Sequence, residues 1–392
     1  MRIGIDATVV ALNGKGLSRH QNNIILALVQ LDTDHEFFVF HRGFYDETSL
    51  KTAPRWHFIR VPFLLSLIWN QIQLPLLAFL YRLDLIYSLY ADLPLLSPAP
   101  CIMHLFETPH CRPEPMPTKE VGLNRLKQEY FRCVKRYHRW IFPKSLHNAA
   151  LVIASSQHVR DMLEKQFPNS SRKTAIVRSA VEGRFRPESD SRKIQYFRNL
   201  FSQGSEYILH FSSEDTRDNT ATVFEVFKKV RPHFPGVKLV VVGSRAGQNG
   251  WSREIWADPF LKDSVIWKEF ITEEVLVKIF QASSAYIDAS PHKTFGFQPL
   301  EAMACGIPVV VSRIASLPEV VGDAGFLCAP NDSEGYAAAL EQVLTQSKVR
   351  EELVAKGLRQ ALQFNWISAA TELLGYFEAV YYRSSANKDK HP

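Results

Sequence analysis

Residues 292–312 read HKTFGFQPLEAMACGIPVVVS. A Phe-Gly-Phe turn at 295–297 runs into Pro299 and a small-residue stretch with one acid, Glu301, then through Gly306 into the apolar run IPVVVS. Pro299 suits the first turn of a helix, and IPVVVS has the length and β-branched content of a buried strand. With AYIDAS just upstream, the order is strand, turn, helix, strand, which is the repeating unit of a parallel sheet covered by helices.

The same rhythm extends in both directions. RIGIDATVV, EFFVFHR, DLIYSLY, PCIMHLF and ALVIASS are strand-like runs alternating with helical patterns such as RHQNNIILALVQL. After VEGRFRPESDSRK the pattern restarts with EYILHFSS, ATVFEVFKKVRPHF, VKLVVVGS and EEVLVKIFQASS. A chain of 392 residues exceeds the size at which a single core stops growing. The expected fold class is therefore α/β, with two Rossmann-like, doubly wound parallel-sheet domains at 1–195 and 196–365. Such sheets take ligands beyond the carboxyl ends of their strands, so the two domains are expected to face a central cleft. The tail FNWISAATELLGYFEAVYYRSS has helical spacing and no following strand, and 366–392 is expected as a closing helix with a frayed end.

Composition excludes several classes. The chain is 46% hydrophobic and 22% charged with a net charge of +6, which is ordinary for a globular protein and hints only weakly at anionic partners. Five cysteines (Cys101, Cys111, Cys133, Cys305, Cys328) without a CxxC pair argue against a disulfide framework or a zinc site. They read as reduced, cytoplasmic thiols. His110, His138 and His292 have no partners at ligand spacing, so no metal site is expected. No dense cationic stripe with stacking aromatics is present, and nucleic acid is not an expected partner. The start MRIGIDATVV lacks the zones of a signal peptide. The apolar stretch VPFLLSLIWNQIQLPLLAFLY is interrupted by Pro62, Asn70, Gln71, Gln73 and Pro75, so it falls short of the ~18 clean apolar residues of a membrane span.

Two stretches carry candidate chemistry. In LNGKGLSRHQNN, Gly14 and Gly16 follow the first strand and a helix is expected to start near Ser18. That arrangement serves either as a close approach to ligand oxygens or as a plain glycine turn with Ser18 as helix N-cap. In the opening stretch, the amides of Gly296 to Leu300 are expected unpaired at the helix start, a setting suited to a diphosphate. Glu301, placed in the first turn, either accepts hydrogen bonds from vicinal hydroxyls such as those of a ribose or complements the helix dipole.

At this point nearly the whole chain resembles a family 4 glycosyltransferase of the GT-B fold, in the subgroup of mannosyl- and rhamnosyltransferases. The segments that carry the resemblance are GLSRHQNNIILAL, IWNQIQLPLL, LVIASSQHVRDML, VRSAVEGRFRP, TRDN and, most specifically, FGFQPLEAMACGIPVVVSRIASLPEVVGDAGFL. The resemblance implies a cytoplasmic, retaining hexosyltransferase. It would move a sugar from a GDP-, UDP- or dTDP-linked donor to a glycan or lipid-linked acceptor, with no cofactor and no obligatory metal. Carried over by position, it implies donor contacts at Arg217, Asp218, Ser290, Phe295, Gly296, Phe297 and Glu301, and a glycine loop at Gly14, Gly16, Leu17 and Ser18.

The chain departs from the family pattern where charge or a proton is usual. Lys293 stands in place of the first Glu of the Glu-x7-Glu motif, and Asp218 in place of a lysine. The family's His-Asp pair aligns with Phe106 and Glu107, unless the loop is shifted and His104 is that histidine. Ser18, Ala180 and Thr294 replace glycines. The catalytic candidates are therefore His104, Glu107 and Lys293. Two readings follow. Lysine and acid have exchanged places, with Lys293 reaching the diphosphate and Asp218 pairing with it or with Arg217; or the site is catalytically degenerate and the protein binds a nucleotide or a partner. Finally, NRLKQEYFRCVKRYHRWIF places Arg125, Arg132, Arg136 and Arg139 on one helical face. That face is either solvated or a peripheral contact with an anionic membrane.

Overall fold

The computed structural model describes residues 1–8, 16–42, 54–62, 66–107, 125–212, 218–243, 258–269 and 271–388. The chain forms two compact units, Met1–Ala180 with Trp366–Pro392, and Val181–Asn365.

Among the described residues the first unit holds seven parallel strands, β1 (Arg2–Asp6), β2 (Glu36–His41), β3 (Trp56–Arg60), β4 (Leu85–Ser88), β5 (Cys101–Leu105), β6 (Leu151–Ala154) and β7 (Thr174–Ile176), in the order β3-β2-β1-β4-β5-β6-β7. Ile3 of β1 lies opposite Phe37 of β2 and Leu85 of β4. The sheet is buried on both faces, which is why its strands read as continuous apolar runs rather than alternating ones. One face packs on α1 (Leu17–Val29) through Ile24, Ile25 and Leu28. The other packs on α2 (Leu74–Leu80), α3 (Arg125–Asn148) and α4 (Gln157–Gln166), with Leu74, Phe142, Leu146, Val159 and Leu163 in its core. Ser156 caps α4, its hydroxyl accepting from the Val159 amide at 3.2 Å, a cap that stabilises a helix by about 1 kcal/mol.

The second unit holds β8 (Tyr207–Ser212), β9 (Lys238–Gly243), β10 (Val265–Lys268), β11 (Ala285–Asp288), β12 (Val309–Ser312) and β13 (Gly325–Cys328), all parallel, in the order β10-β9-β8-β11-β12-β13. Its helices of five residues or more, among the described residues, are α5 (Ser191–Ser202), α6 (Thr220–Val230), α7 (Glu273–Gln281), α8 (Phe297–Ala304), α9 (Leu317–Val321), α10 (Ser333–Thr345) and α11 (Ser347–Leu362). Val223 and Phe227 of α6 meet Tyr336 and Leu340 of α10 over Val241 and Ile287 of the sheet. α12 (Trp366–Lys388) is the helix its spacing predicted; it returns to the first unit and sets Leu373, Phe377 and Val380 against Ile24 and Leu28.

Residues 181–190 pack with the second unit, whereas the sequence reading counted them, up to 195, with the first. The cause is a set of anchors that patterning does not show. Phe185 sits edge-on to Phe280 at 6.1 Å between centroids, Arg184 bridges to Glu273 at 2.8 Å, and Gln281 donates to the Arg186 carbonyl at 2.7 Å.

Candidate functional site

The strand order of the second unit runs outward from β8 in one direction and from β11 in the other. The carboxyl ends of these two strands flank the reversal point, where helices leave on opposite faces and a crevice opens. Polar side chains converge there. Asp288, the last residue of β11, is buried at 1% exposure. Its carboxylate accepts from the Ser290 amide at 3.0 Å, from the Ser290 and Tyr286 hydroxyls, and from the Lys293 ammonium. From β8, His210 contacts the Ile287 carbonyl at 3.1 Å and the Thr220 hydroxyl at 3.0 Å, and Thr220 donates on to Ser212 at 2.8 Å.

The electrostatics follow from this packing. Burial alone pushes the Asp288 carboxyl upward, but the Lys293 charge, the hydrogen bonds from Lys293 and Ser290, and His210 outweigh it and hold the acid at about 2. Burial lowers the His210 imidazole, with Asp288 opposing. It raises the Tyr286 phenol, and the negative charges of Asp288, Asp218 and Glu301 raise it further. Asp218 and Glu301 therefore lie within electrostatic reach of the same cluster.

The loop from Lys293 to Gly296 is pinned from the Ser-Leu-Pro turn. Ser316 donates to the Phe295 carbonyl at 2.7 Å and to the Lys293 carbonyl at 3.1 Å. Gly296 has φ +107°, and a Cβ there would meet Leu317 Cδ2 at 2.7 Å, so a glycine is required on both conformational and steric grounds. Glu301 is 2% exposed with both carboxylate oxygens enclosed.

Several expectations need correction. The cation Lys293 has an ion-pair partner from β11, Asp288, which the exchange with Asp218 and Arg217 did not include; Arg217 lies outside the described residues. Phe295 is 2% exposed, packed on Phe297 at 5.0 Å and Phe364 at 6.0 Å between centroids, so it supports the loop from beneath rather than facing a ligand. Ser290, also 2% exposed, is a tether of Asp288. Glu301 lies in the second turn of α8, and the Leu300 amide already donates to the Gly296 carbonyl at 3.4 Å, because the helix begins two residues before Pro299.

In the first unit the corresponding reversal lies between β1 and β4. Asp6 ends β1 there, fully buried, and accepts from the Thr8 hydroxyl at 2.6 Å, the Thr8 amide at 3.1 Å, Trp69 Nε1 at 3.0 Å and Ser88 at 3.2 Å. Burial raises its carboxyl and these donors oppose the rise. α1 starts at Leu17 with Gly16 as its N-cap at φ +51°, so Ser18 is inside the helix at 9% exposure and not its cap; Gly14 lies outside the described residues. His104 is fully enclosed on β5, Nδ1 bonded to the Tyr87 hydroxyl at 2.7 Å, and burial pulls its imidazole down to about 3. The ring is thus neutral and interior, held by Tyr87 rather than presented at the surface. Phe106 stacks on it at 5.1 Å and meets His20 edge-on at 4.6 Å, while His20 bonds Ser179 at 2.8 Å. Glu107 follows in the half-buried bend after β5.

Among the described residues no group of three or more His, Cys, Asp or Glu side chains could hold a metal ion. His138 lies 4.0 Å from Asp92, and His110 and Cys111 are outside the described residues. No helix described is long and apolar enough to cross a membrane.

Residues 191–360 match the family of glycosyl transferases group 1. The matched residues make up most of the second unit. The chain is 26% identical over 261 residues to the O-antigen chain mannosyltransferase B of Escherichia coli, an alignment covering 62% of this chain and 64% of that protein, slightly under two thirds of its length. In structure it resembles the sucrose-phosphate synthase of Thermosynechococcus elongatus, with a TM-score of 0.71, 17% identity and coverage of 97% and 99% of the two chains. Anabaena Alr3699/HepE, solved with UDP-glucose, superposes at a TM-score of 0.71 with 18% identity, covering 97% and 100%. At these identities the likeness carries the fold, and that fold is GT-B.

Within the second unit, the residue that sequence reasoning missed is Asp288. The signal was present in AYIDAS, since an acid ending an otherwise apolar strand is costly to bury unless something pairs with it. Asp6, in RIGID, is the same signal in the first unit.

Proposed function

We propose that this protein transfers a sugar, with retention of anomeric configuration, from a GDP-, UDP- or dTDP-linked donor to a glycan or lipid-linked acceptor. The second unit holds the donor and the first the acceptor. The observation that carries this reading is the buried Asp288–Lys293 pair at the strand-reversal point of the unit that matches the group 1 glycosyl transferases. An ammonium has three N–H donors. Held by Asp288 on one side and 18% exposed, Lys293 keeps donors for the oxygens of a diphosphate, where its charge would offset the negative charge that grows on the leaving group. Asp288 acts through it, fixing its position.

Gly296 lets the backbone approach the diphosphate closely. Glu301 accepts hydrogen bonds from the ribose hydroxyls. No protein nucleophile is invoked. A leaving-phosphate oxygen takes the acceptor proton on the same face of the sugar, and the protein contributes positioning. The reaction needs no obligatory metal in this account.

Thermal-shift titration with GDP, UDP and dTDP tests the reading. A nucleotide that binds only the folded state raises the unfolding temperature by mass action and names the base. No shift with any of the three, free or sugar-linked, would overturn it.

A further inference from the structure

The uncharged stretch 66–81 forms one continuous helical rod in three parts, a turn at Ser66–Ile68, a π-helical turn at Trp69–Gln73, and α2. The Leu74 amide donates to the Trp69 carbonyl, five residues back. Pro75 explains the widening, because it has no N–H for the Gln71 carbonyl and its ring would crowd that carbonyl in a regular α-helix. The π-turn shifts the helical faces by one residue. Inward, Trp69 and Leu74 are five apart, with Ala78 one α-turn later, and all three are buried at 1% or less. Outward, Leu67 and Ile72 are likewise five apart, followed by Leu76, Phe79 and Leu80. They are 48%, 61%, 54%, 70% and 62% exposed. A soluble surface rarely concentrates large apolar side chains in this way without a partner.

α3 runs beside this face. Gln71 donates to the Tyr137 hydroxyl of α3 at 3.3 Å and clasps the intervening loop through the Leu93 carbonyl and the Leu95 amide, at 3.0 and 2.9 Å. The next loop residue, Leu96, is 86% exposed. At about 100° per residue, the side chains of α3 turn away from Tyr137 in the order Lys144, Trp140, Arg136, Arg132, Arg139. Trp140 is 55% exposed with the Lys144 ammonium 3.4 Å from its ring centre, and the three arginines are exposed. One side of the first unit thus passes from an apolar row through an exposed tryptophan to a cationic row.

We infer that this side lies on a membrane surface bearing anionic lipid, with Leu67, Ile72, Leu76, Phe79 and Leu80 in the headgroup–acyl boundary and Arg132, Arg136 and Arg139 against the headgroups. The charge decides the occupant. An apolar row alone would suit a second copy of the chain, but the adjoining cations would repel the same row on a symmetry mate, whereas anionic headgroups attract them. An apolar face, an interfacial tryptophan and a flanking basic face are what a segment lying in the interface plane needs. The same stretch is too short, and too interrupted by Asn70, Gln71 and Gln73, to span the membrane.

The test is co-sedimentation of the full chain with vesicles of phosphatidylcholine alone and of phosphatidylcholine and phosphatidylglycerol in equal parts. Wild type is expected to sediment with the mixed vesicles and more weakly with the neutral ones. Replacing the exposed pair as Ile72→Ser with Phe79→Ser is expected to lower partitioning about tenfold or more on both. Arg136→Glu with Arg139→Glu is expected to bring binding to mixed vesicles down to the neutral level. All four positions are exposed, so the fold should survive, and nucleotide thermal shifts measured on the same variants keep this test separate from the donor-binding one. Absence of binding by wild type would overturn the inference, as would equal binding by either variant. So would sedimentation equilibrium showing a dimer without lipid that the Ile72/Phe79 variant abolishes, since a second copy would then cover the face.

Discussion

Replacing Lys293 by Met isolates the interaction on which the donor site is built. In the wild type Asp288 sits at about 2, against 3.8 for an ordinary aspartate. At about 1.4 kcal/mol per pKa unit, the folded environment favours the charged carboxylate by about 2–3 kcal/mol. That stabilisation is complete above 3.8 and is lost as the pH falls through about 2. Met keeps most of the lysine stem and removes the charge, leaving the carboxylate buried without its cation, a change that typically costs about 3–5 kcal/mol. Burial now raises the Asp288 pKa above 3.8, so the sign reverses. The penalty is present above the raised pKa and disappears as the pH falls through it. Urea unfolding of Lys293→Met should show a deficit of about 3–5 kcal/mol at pH 7 that narrows steadily toward pH 4. Adding Asp288→Asn to Lys293→Met should restore part of the loss, with a coupling of about 1 kcal/mol or more between the two changes. A deficit below about 0.5 kcal/mol, a gap unchanged across pH, or strictly additive changes would refute the pairing.

Three further outcomes are expected. Glu301→Gln, which keeps volume and removes the charge, should weaken the preferred nucleotide more than tenfold by titration calorimetry, and near-neutral behaviour would count against the ribose role. Gly296→Ala should destabilise by about 1–3 kcal/mol in chemical denaturation, since it combines a left-handed backbone with a Cβ 2.7 Å from Leu317 Cδ2; a neutral result would mean that the loop relaxes. Phe377→Ala, at a fully buried position on α12, should cost about 3–5 kcal/mol, read as a lowered urea midpoint, and a loss under 1 kcal/mol would show that α12 contributes little to the core of the first unit.

Much of the fold was legible because periodicity reports burial. Strands such as IPVVVS and ALVIASS are continuous apolar runs because both faces of a parallel sheet are covered, and the spacing of Leu373, Phe377 and Val380 marked the last helix, though not where it docks. Less of the site could be read. The ion pair joins Lys293 to a residue that sequence logic treats as the end of a strand, and pairings between a strand terminus and a loop leave no periodic trace. Helix starts were misplaced for a similar reason. Ser18 and Pro299 are good residues for a helix beginning, but Gly16 and Gly296, with positive φ, actually make the turn. His104 attracted attention as a histidine in the right segment, yet position within β5 puts it inside.

The return of α12 has a consequence for how the chain reaches its native state. The second unit is continuous from Val181 to Asn365, and the Val181 amide donates to the Phe364 carbonyl at 3.3 Å, so its two ends are tied to each other. It can close as soon as those residues are available. The first unit cannot, because the hydrophobic side of α1 waits for residues more than three hundred positions later. Closing so long a loop is entropically cheap once the intervening domain has folded and brought its ends together, and dear before then. Connectivity thus makes the two units unequal: the second closes on its own residues, whereas the core around α1 is complete only when the last helix docks on it.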